Sequence, residues 1–330
     1  MQYLRSLTIT PNENISSYKF VNGGNGRNRT HAIKGNHTCA YNLQFWISKD
    51  LDQSTPMEVW LLKMGIDGTD SKVEGTPDVY TIPDSADEFG DDYLKVMTIE
   101  AGYNKASNVI AHRLTGAIVD TMTVHYEQDQ EILVTFDGPA LFAEMLTAFT
   151  SGSLTEASEL PFRWGDCDIQ YGDAGGAAAF SGITMFEFKI GNKVSGGSFL
   201  TNSSGTPRRY PTVWLLGSET DDMREVTGQF TLLLNTDTHN GQDLYEDLYN
   251  DATGTATPTE GTVLKDFQIT MNQSASQYIR FTLHDVILGT IPSDVIGSGI
   301  VKYTIPFTAT ACVLTHTALG TSSSPTNWVE

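Results

Sequence analysis

The stretch Phe180-Ser181-Gly182-Ile183-Thr184-Met185-Phe186-Glu187-Phe188-Lys189-Ile190-Gly191-Asn192 decides the fold class. Phe186, Phe188 and Ile190 recur every second residue, with Glu187 and Lys189 between them. Side chains alternate across a strand, so this is a half-buried strand with one apolar and one wet face. The same period spreads outward in both directions. Phe230, Leu232 and Leu234 carry it downstream, then Phe267, Ile269 and Met271, then Ile279, Phe281 and Leu283. Upstream it appears at Tyr41, Leu43, Phe45 and Ile47, then at Met122, Val124 and Tyr126. Ile132, Val134 and Phe136 follow after a polar turn at Gln128 to Gln130. The chain therefore reads as mostly β, built of antiparallel sheets.

Helical signals are few. Ser54 and Thr55 before Pro56 predict a helix from Met57 to Met64, closed by Gly65. Asp137, Gly138 and Pro139 predict a second from Ala140 to Phe149, and Gln242 to Tyr249 reads as a third. Polar loops are expected at Val21 to Gly35, Asp67 to Asp92, Gly152 to Leu160, Gly191 to Pro211 and Asp251 to Gly261. Three blocks recur in order. Leu7 to Phe20 resembles Ile183 to Ile190, Ala40 to Ile47 with a helix after it resembles Val226 to Leu234, and Ile118 to Phe136 resembles Lys265 to Leu283. That order predicts an internal duplication, with domains at 1–155 and 156–330.

Composition narrows the function. The 330 residues carry 20 Lys plus Arg against 40 Asp plus Glu, a formal charge of −20, while only 18% of residues are charged. A nucleic-acid groove binder needs a basic footprint, and an acidic disordered chain would lack the 15 Phe, 13 Tyr and 5 Trp present here. Cys39, Cys167 and Cys312 lie far apart without a CxxC pair, so three small buried or half-buried thiols are expected. No run of about eighteen apolar residues occurs, and Met1 to Ser6 does not open a signal peptide.

Chemistry has little to work with. The seven histidines never fall in HxH, HExxH or HxxxH spacing, and His125 and His284 lie in or just after corresponding hairpins. His125 reads as a solvated residue on the polar face of its strand. Asp166-Cys167-Asp168 and the acidic run Asp84, Asp87, Glu88, Asp91, Asp92 depart from the calcium-loop spacing. Gly23-Gly24-Asn25-Gly26 lacks the Lys-Ser/Thr of a phosphate loop. No catalytic residue, metal site or cofactor is predicted, and the chain is not expected to be an enzyme.

The second half, however, resembles a family. Phe180 to Asn192, a long loop ending in Arg208-Arg209-Tyr210-Pro211-Thr212, the strand Val226 to Leu232, a helix and a final hairpin through Ile305-Pro306-Phe307-Thr308-Ala309 are similar to the major tail tube protein of long-tailed bacterial or archaeal viruses. Thr115 to Val124 carries the resemblance into the first half. It implies tandem β-sandwich tube domains, each with a short flanking helix, whose inner sheets pool into a ring of six modules. Two modules per chain then imply a homotrimer with pseudo-sixfold symmetry, stacking into a virion tail tube assembled in the host cytoplasm. Implied partners are further copies of the chain, the tail terminator, tape measure and baseplate or distal tail proteins, and viral DNA in transit, with no membrane. An acidic lumen would repel DNA instead of binding it, and the candidate lining residues are Asp120, Glu127, Glu187, Asp266 and Asp285. Arg27, Arg29, Arg208 and Arg209 lie in the loops expected to contact the next ring. The rival reading is a tandem β-sandwich carbohydrate-binding protein or adhesin stacking sugars on Trp46, Trp164 or Trp214.

Overall fold

The alternating stretches are strands, and their apolar faces close on one another. The computed structural model describes residues 3–18, 31–49, 57–66, 71–73, 78–82, 96–105, 108–148, 160–172, 178–197, 213–216, 224–233, 264–274, 277–289 and 302–318. In chain order come β1 (Tyr3–Tyr18), β2 (His31–Trp46), α1 (Met57–Ile66), β3 (Ser71–Val73) and β4 (Asp78–Ile82). Next are β5 (Met97–Lys105), β6 (Asn108–Ala117), β7 (Thr121–Glu127), β8 (Leu133–Ala140) and β9 (Phe142–Leu146). A 3-10 turn at Trp164–Asp166 leads to β10 (Cys167–Gly172), β11 (Ala178–Ala179), β12 (Ile183–Gly191), β13 (Val194–Gly197) and β14 (Val213–Leu216). The last strands are β15 (Glu225–Leu233), β16 (Lys265–Ser274), β17 (Gln277–Leu288), β18 (Lys302–Ala309) and β19 (Ala311–Ala318). All recorded strand pairs are antiparallel, so the mostly-β expectation holds.

One layer runs β1-β2-β8-β7-β12-β15-β18, and the other runs β11-β10-β16-β17-β19-β4-β3. They join at a corner. β17 pairs with β16 and β19 over most of its length, then passes to the first layer, where Ile287 and Leu288 pair with Thr308 and Phe307 of β18. Between the layers, Phe186 meets Phe267 at a ring-centre distance of 5.2 Å, Phe188 meets Phe281 at 5.0 Å and Phe230 meets Phe267 at 5.4 Å. Strands distant along the sheet thus face each other, the geometry of a sandwich. The predicted inward residues from Tyr41 to Leu283 are buried in this one core, with the exception of Leu234, which lies outside the described residues.

Strands from both predicted segments share both layers. β7 pairs with β12 from Thr121↔Gly191 to Glu127↔Met185, and β4 pairs with β19 from Asp78↔Ala318 to Ile82↔Leu314. The Tyr126 hydroxyl reaches Met271 Sδ at 4.0 Å. Residues 149–159, around the predicted boundary, lie outside the described residues. The β1–β2 and β12–β15 pairs both sit in the first layer, whereas the β7–β8 hairpin is in the first and the β16–β17 hairpin in the second.

The second predicted helix and several expected loops are corrected. Residues 140–146 are the end of β8 and β9, with no helix. Asp137-Gly138-Pro139 is strand because its special residues are used there. A Cβ at Gly138 would collide with the Ile118 carbonyl oxygen, Asp137 Oδ1 accepts from Asn42 Nδ2 at 2.7 Å, and the Pro139 carbonyl accepts from Ile118 N at 3.1 Å. The first predicted helix is present and runs on through Gly65 to Ile66. The third, at 242–249, and the capping residues 54–56 lie outside the described residues. The expected loops conceal strands: β2 begins at His31 inside Val21 to Gly35, β3 and β4 fall within Asp67 to Asp92, and β13 falls within Gly191 to Pro211.

The two ends of the first layer differ. Past Cys39↔Ala140, β1 and β2 continue as a two-stranded ribbon to Tyr18↔His31, roughly 23 Å of further strand. Past Gly191 at the same end, β13 and β14 form a second ribbon, and the three-stranded sheet β5-β6-β9 sits on the continuations of β7 and β8. In that small sheet Arg113 joins Glu100 at 2.7 Å and Glu144 at 2.8 Å across all three strands. The opposite end has the tight β7–β8 turn, where Asp129 takes φ 65.

Candidate functional site

The first layer buries one face and leaves the other uncovered by any described element. Strand alternation puts these residues there: along β7 the buried Met122, Val124 and Tyr126 alternate with half-buried Thr121, Thr123, His125 and Glu127. Register then aligns the open-face residues in rows across seven strands. One row runs Ser6, Gln44, Thr135, Thr123, Lys189, Thr227 and Thr308, and another runs Trp46, Leu133, His125, Glu187, Gln229 and Pro306. Short polar side chains bridge neighbouring strands along these rows. Ser6 Oγ donates to Gln44 Oε1 at 3.2 Å, Gln229 Nε2 donates to Glu187 Oε1 at 3.3 Å, and the Thr231 and Thr304 hydroxyls are 2.9 Å apart. Such cross-strand pairs stabilise the pairing of strands whose outward face has no apolar cover among the described residues.

Its charges cluster at the seam where β7 meets β12. His125 Nδ1 lies 2.9 Å from Glu187 Oε2, and Nε2 lies 3.6 Å from Glu127 Oε2. Gln130 Nε2 donates to Glu127 at 2.7 Å. Asp137 and Glu225 add carboxylates, Lys189 adds a cation, and Lys193 meets Glu225 at 3.4 Å. The face is thus hydroxyl- and amide-rich with interspersed charge. His125, expected as a solvated residue, is instead engaged by both carboxylates. Alternation places it on the open face, but the partner strand, and hence Glu187, is invisible to a local pattern.

The five predicted lining carboxylates separate. Glu127 and Glu187 share the open face. Asp120 stands at the rim, where its Oδ1 accepts from Val194 N at 2.7 Å. Asp266 lies in the second layer, 5% exposed, with Oδ2 3.0 Å from His284 Nδ1 and Oδ1 accepting from Asp285 N at 3.1 Å. Asp285 is exposed at the layer-crossing corner with φ 50, and its Oδ2 accepts from Thr310 Oγ1 at 3.1 Å. Arg27, Arg29, Arg208 and Arg209 lie outside the described residues. Of the tryptophans, Trp46 is half-buried on the open face, Trp164 packs against the core, and the Trp214 side chain lies outside the described set.

Near the rim, residues of the second segment hold α1 of the first. The buried Asn192 donates through Nδ2 to Gly65 O at 3.1 Å and Val119 O at 2.9 Å, and Arg224 Nη2 donates to the Gly65 and Ile66 carbonyls. A side-chain donor at a helix C-terminus satisfies carbonyls that have no partner within the helix. The Tyr41 hydroxyl donates to Ile118 O at 2.9 Å, and burial, with Asp137 and Asp120 nearby, pushes it far above the ordinary phenol range. Burial likewise raises the Cys39 and Cys167 thiols. Among the described residues no group of three His, Cys, Asp or Glu side chains converges to hold a metal, and no helix is long and apolar enough to cross a membrane.

Fold and site together define an antiparallel β protein that presents a broad polar sheet to its surroundings. The chain matches no family model and no curated protein sequence.

Proposed function

We propose that this chain is a structural virion protein, the major subunit of a viral tail tube, and that the open sheet face lines the tube. The observation that carries the reading is the seven-stranded layer continuous across both segments. Residues 1–155 supply β1, β2, β8 and β7, and residues 156–330 supply β12, β15 and β18. Each segment is read as one tube module giving three or four strands to a common inner wall, which is how the resemblance pools its sheets. The ends of this layer are also suited to joining. β1 has β2 as its one described neighbour, and β18 meets β17 at its last pairs alone. Unpaired strand edges are templates for another chain, and ring closure removes them.

Three chains would then contribute about 21 strands. At about 4.8 Å spacing and about 40° tilt, they close a backbone circumference of roughly 130 Å, a diameter near 42 Å. A DNA duplex passes through such a bore. Glu127 and Glu187 would face it, among hydroxyls and amides that offer phosphate little to hold, so the tube conducts DNA without binding it. The ribbon-bearing end of the layer would meet the next ring; in sequence, Arg27 and Arg29 fall between β1 and β2, and Arg208 and Arg209 between β13 and β14.

Negative-stain electron microscopy of the purified, concentrated protein tests the reading. Rings or hollow rods with a bore near the estimated diameter are expected. Dispersed single chains at high concentration, even when seeded with tail-initiating protein, would overturn it.

A further inference from the structure

The outer face of the second layer turns away from the core, and there β17 holds a guanidinium in a fixed pose. Arg280 is half-buried. Its Nε donates to Thr270 Oγ1 on β16 at 2.9 Å, and Thr270 is itself 4% exposed. Its guanidinium carbon lies 4.9 Å from the centre of the Tyr278 ring. A hydroxyl on one side and a ring on the other set the plane of the group, and among the described residues one of its five N–H bonds is used. Among the described residues Arg280 has no ion pair. The carboxylate in its row, Asp168, is two strands away across Thr270 and accepts from Gln170 Nε2 at 2.7 Å.

We propose that Arg280 is a docking point for a carboxylate of a second copy of this chain. Two terminal nitrogens presented side by side match a carboxylate in a two-point contact. A guanidinium already held by Thr270 and Tyr278 loses little freedom on binding, so the contact keeps more of its energy. The acceptor follows from composition. The chain has 40 carboxylate side chains against 20 Lys plus Arg, so a second copy is rich in acceptors for a fixed guanidinium. The proposal deepens the tube reading, since adjacent rings and subunits supply that second copy. It places one contact on the layer opposite the lining face.

Sedimentation velocity over a concentration series, on the full chain and on Arg280→Ala, Arg280→Lys and Arg280→Glu, tests it. Arg280→Ala is expected to raise the half-assembly concentration about tenfold, as for loss of one charge-assisted contact. Arg280→Lys restores part of the loss, supplying charge without the fork, and Arg280→Glu assembles worst. Circular dichroism and melting at a dilution where every variant is a single chain check that each is folded. The proposal is overturned if Arg280→Ala and Arg280→Glu assemble like the parent chain. It is equally overturned if they lower melting at every dilution while assembly is unmoved, which marks an acceptor in the same chain. Binding of duplex DNA that depends on Arg280 would overturn it too. Rods that survive Arg280→Glu sink this contact and leave the tube standing. Irregular oligomers that Arg280→Ala dissolves support the contact and sink the tube.

Discussion

Asp266 shows how much one residue can hold. It occupies a register break between Lys265 and Phe267, which turns its carboxylate to meet both His284 Nδ1 and the amide of Asp285. Those two residues begin the passage of β17 from one layer to the other, and Asp285 tolerates φ 50 there because its own side chain is tied to Thr310. Removing the carboxylate leaves the part-buried Asp285 amide and a His284 ring nitrogen without their partner. Asp266→Ala is therefore expected to cost about 2–3 kcal/mol in urea unfolding, well above loss of an exposed carboxylate in a regular strand, as in Glu225→Ala. Asp266 stands beside an alternating strand as Glu127 and Glu187 do, and nothing local to β16 says that this strand belongs to the second layer. Period-two counting assigns faces correctly along β7 and β12, where the strands are regular. On β17, where His284 and Asp285 together oppose Asp266, one extra residue shifts the phase so that Val286 and not Asp285 is buried, and no propensity announces it.

At the scale of elements, β15 depends on the absence of a side chain at Gly228. Its neighbours in register are Phe188 on β12 and Phe307 on β18, and a Cβ there would collide with the Phe307 ring and lie 2.5 Å from the Glu187 carbonyl oxygen. Gly228→Ala should therefore separate β12 from β18 and destabilise the fold by about 2 kcal/mol or more, whereas Ala at the uncrowded Gly165 should be near neutral in the same melts. Strands of this kind were legible from alternation alone. β5 and β6 were not, because Ala101-Gly102 and Thr115-Gly116-Ala117 blur their period. The false helix at Ala140 arose because Asp-Gly-Pro is turn chemistry in isolation, and a neighbouring strand overrode it.

For the whole molecule, partner choice was the illegible part. Alternation says which face of a strand is buried and nothing about which strand lies beside it, so the β7–β12 seam and the β4–β19 pair could not be foreseen. Both joins cross residue 155. Asn192 and Arg224 fasten α1 from the far side of the same boundary. The two segments should therefore unfold together. Scanning calorimetry of the dilute single chain is expected to give one transition, with calorimetric and van't Hoff enthalpies in agreement. Two resolved transitions would mean that the shared sheet contributes little coupling.

Ribbons at one end of the large layer and a tight turn at the other give the molecule a front and a back. A filament made by repeating such a unit front to back has a direction. Its two tips expose different surfaces, so arriving copies meet unlike landing sites and elongation at one tip can outpace the other. A plug shaped for one tip would halt growth there and leave the opposite tip untouched.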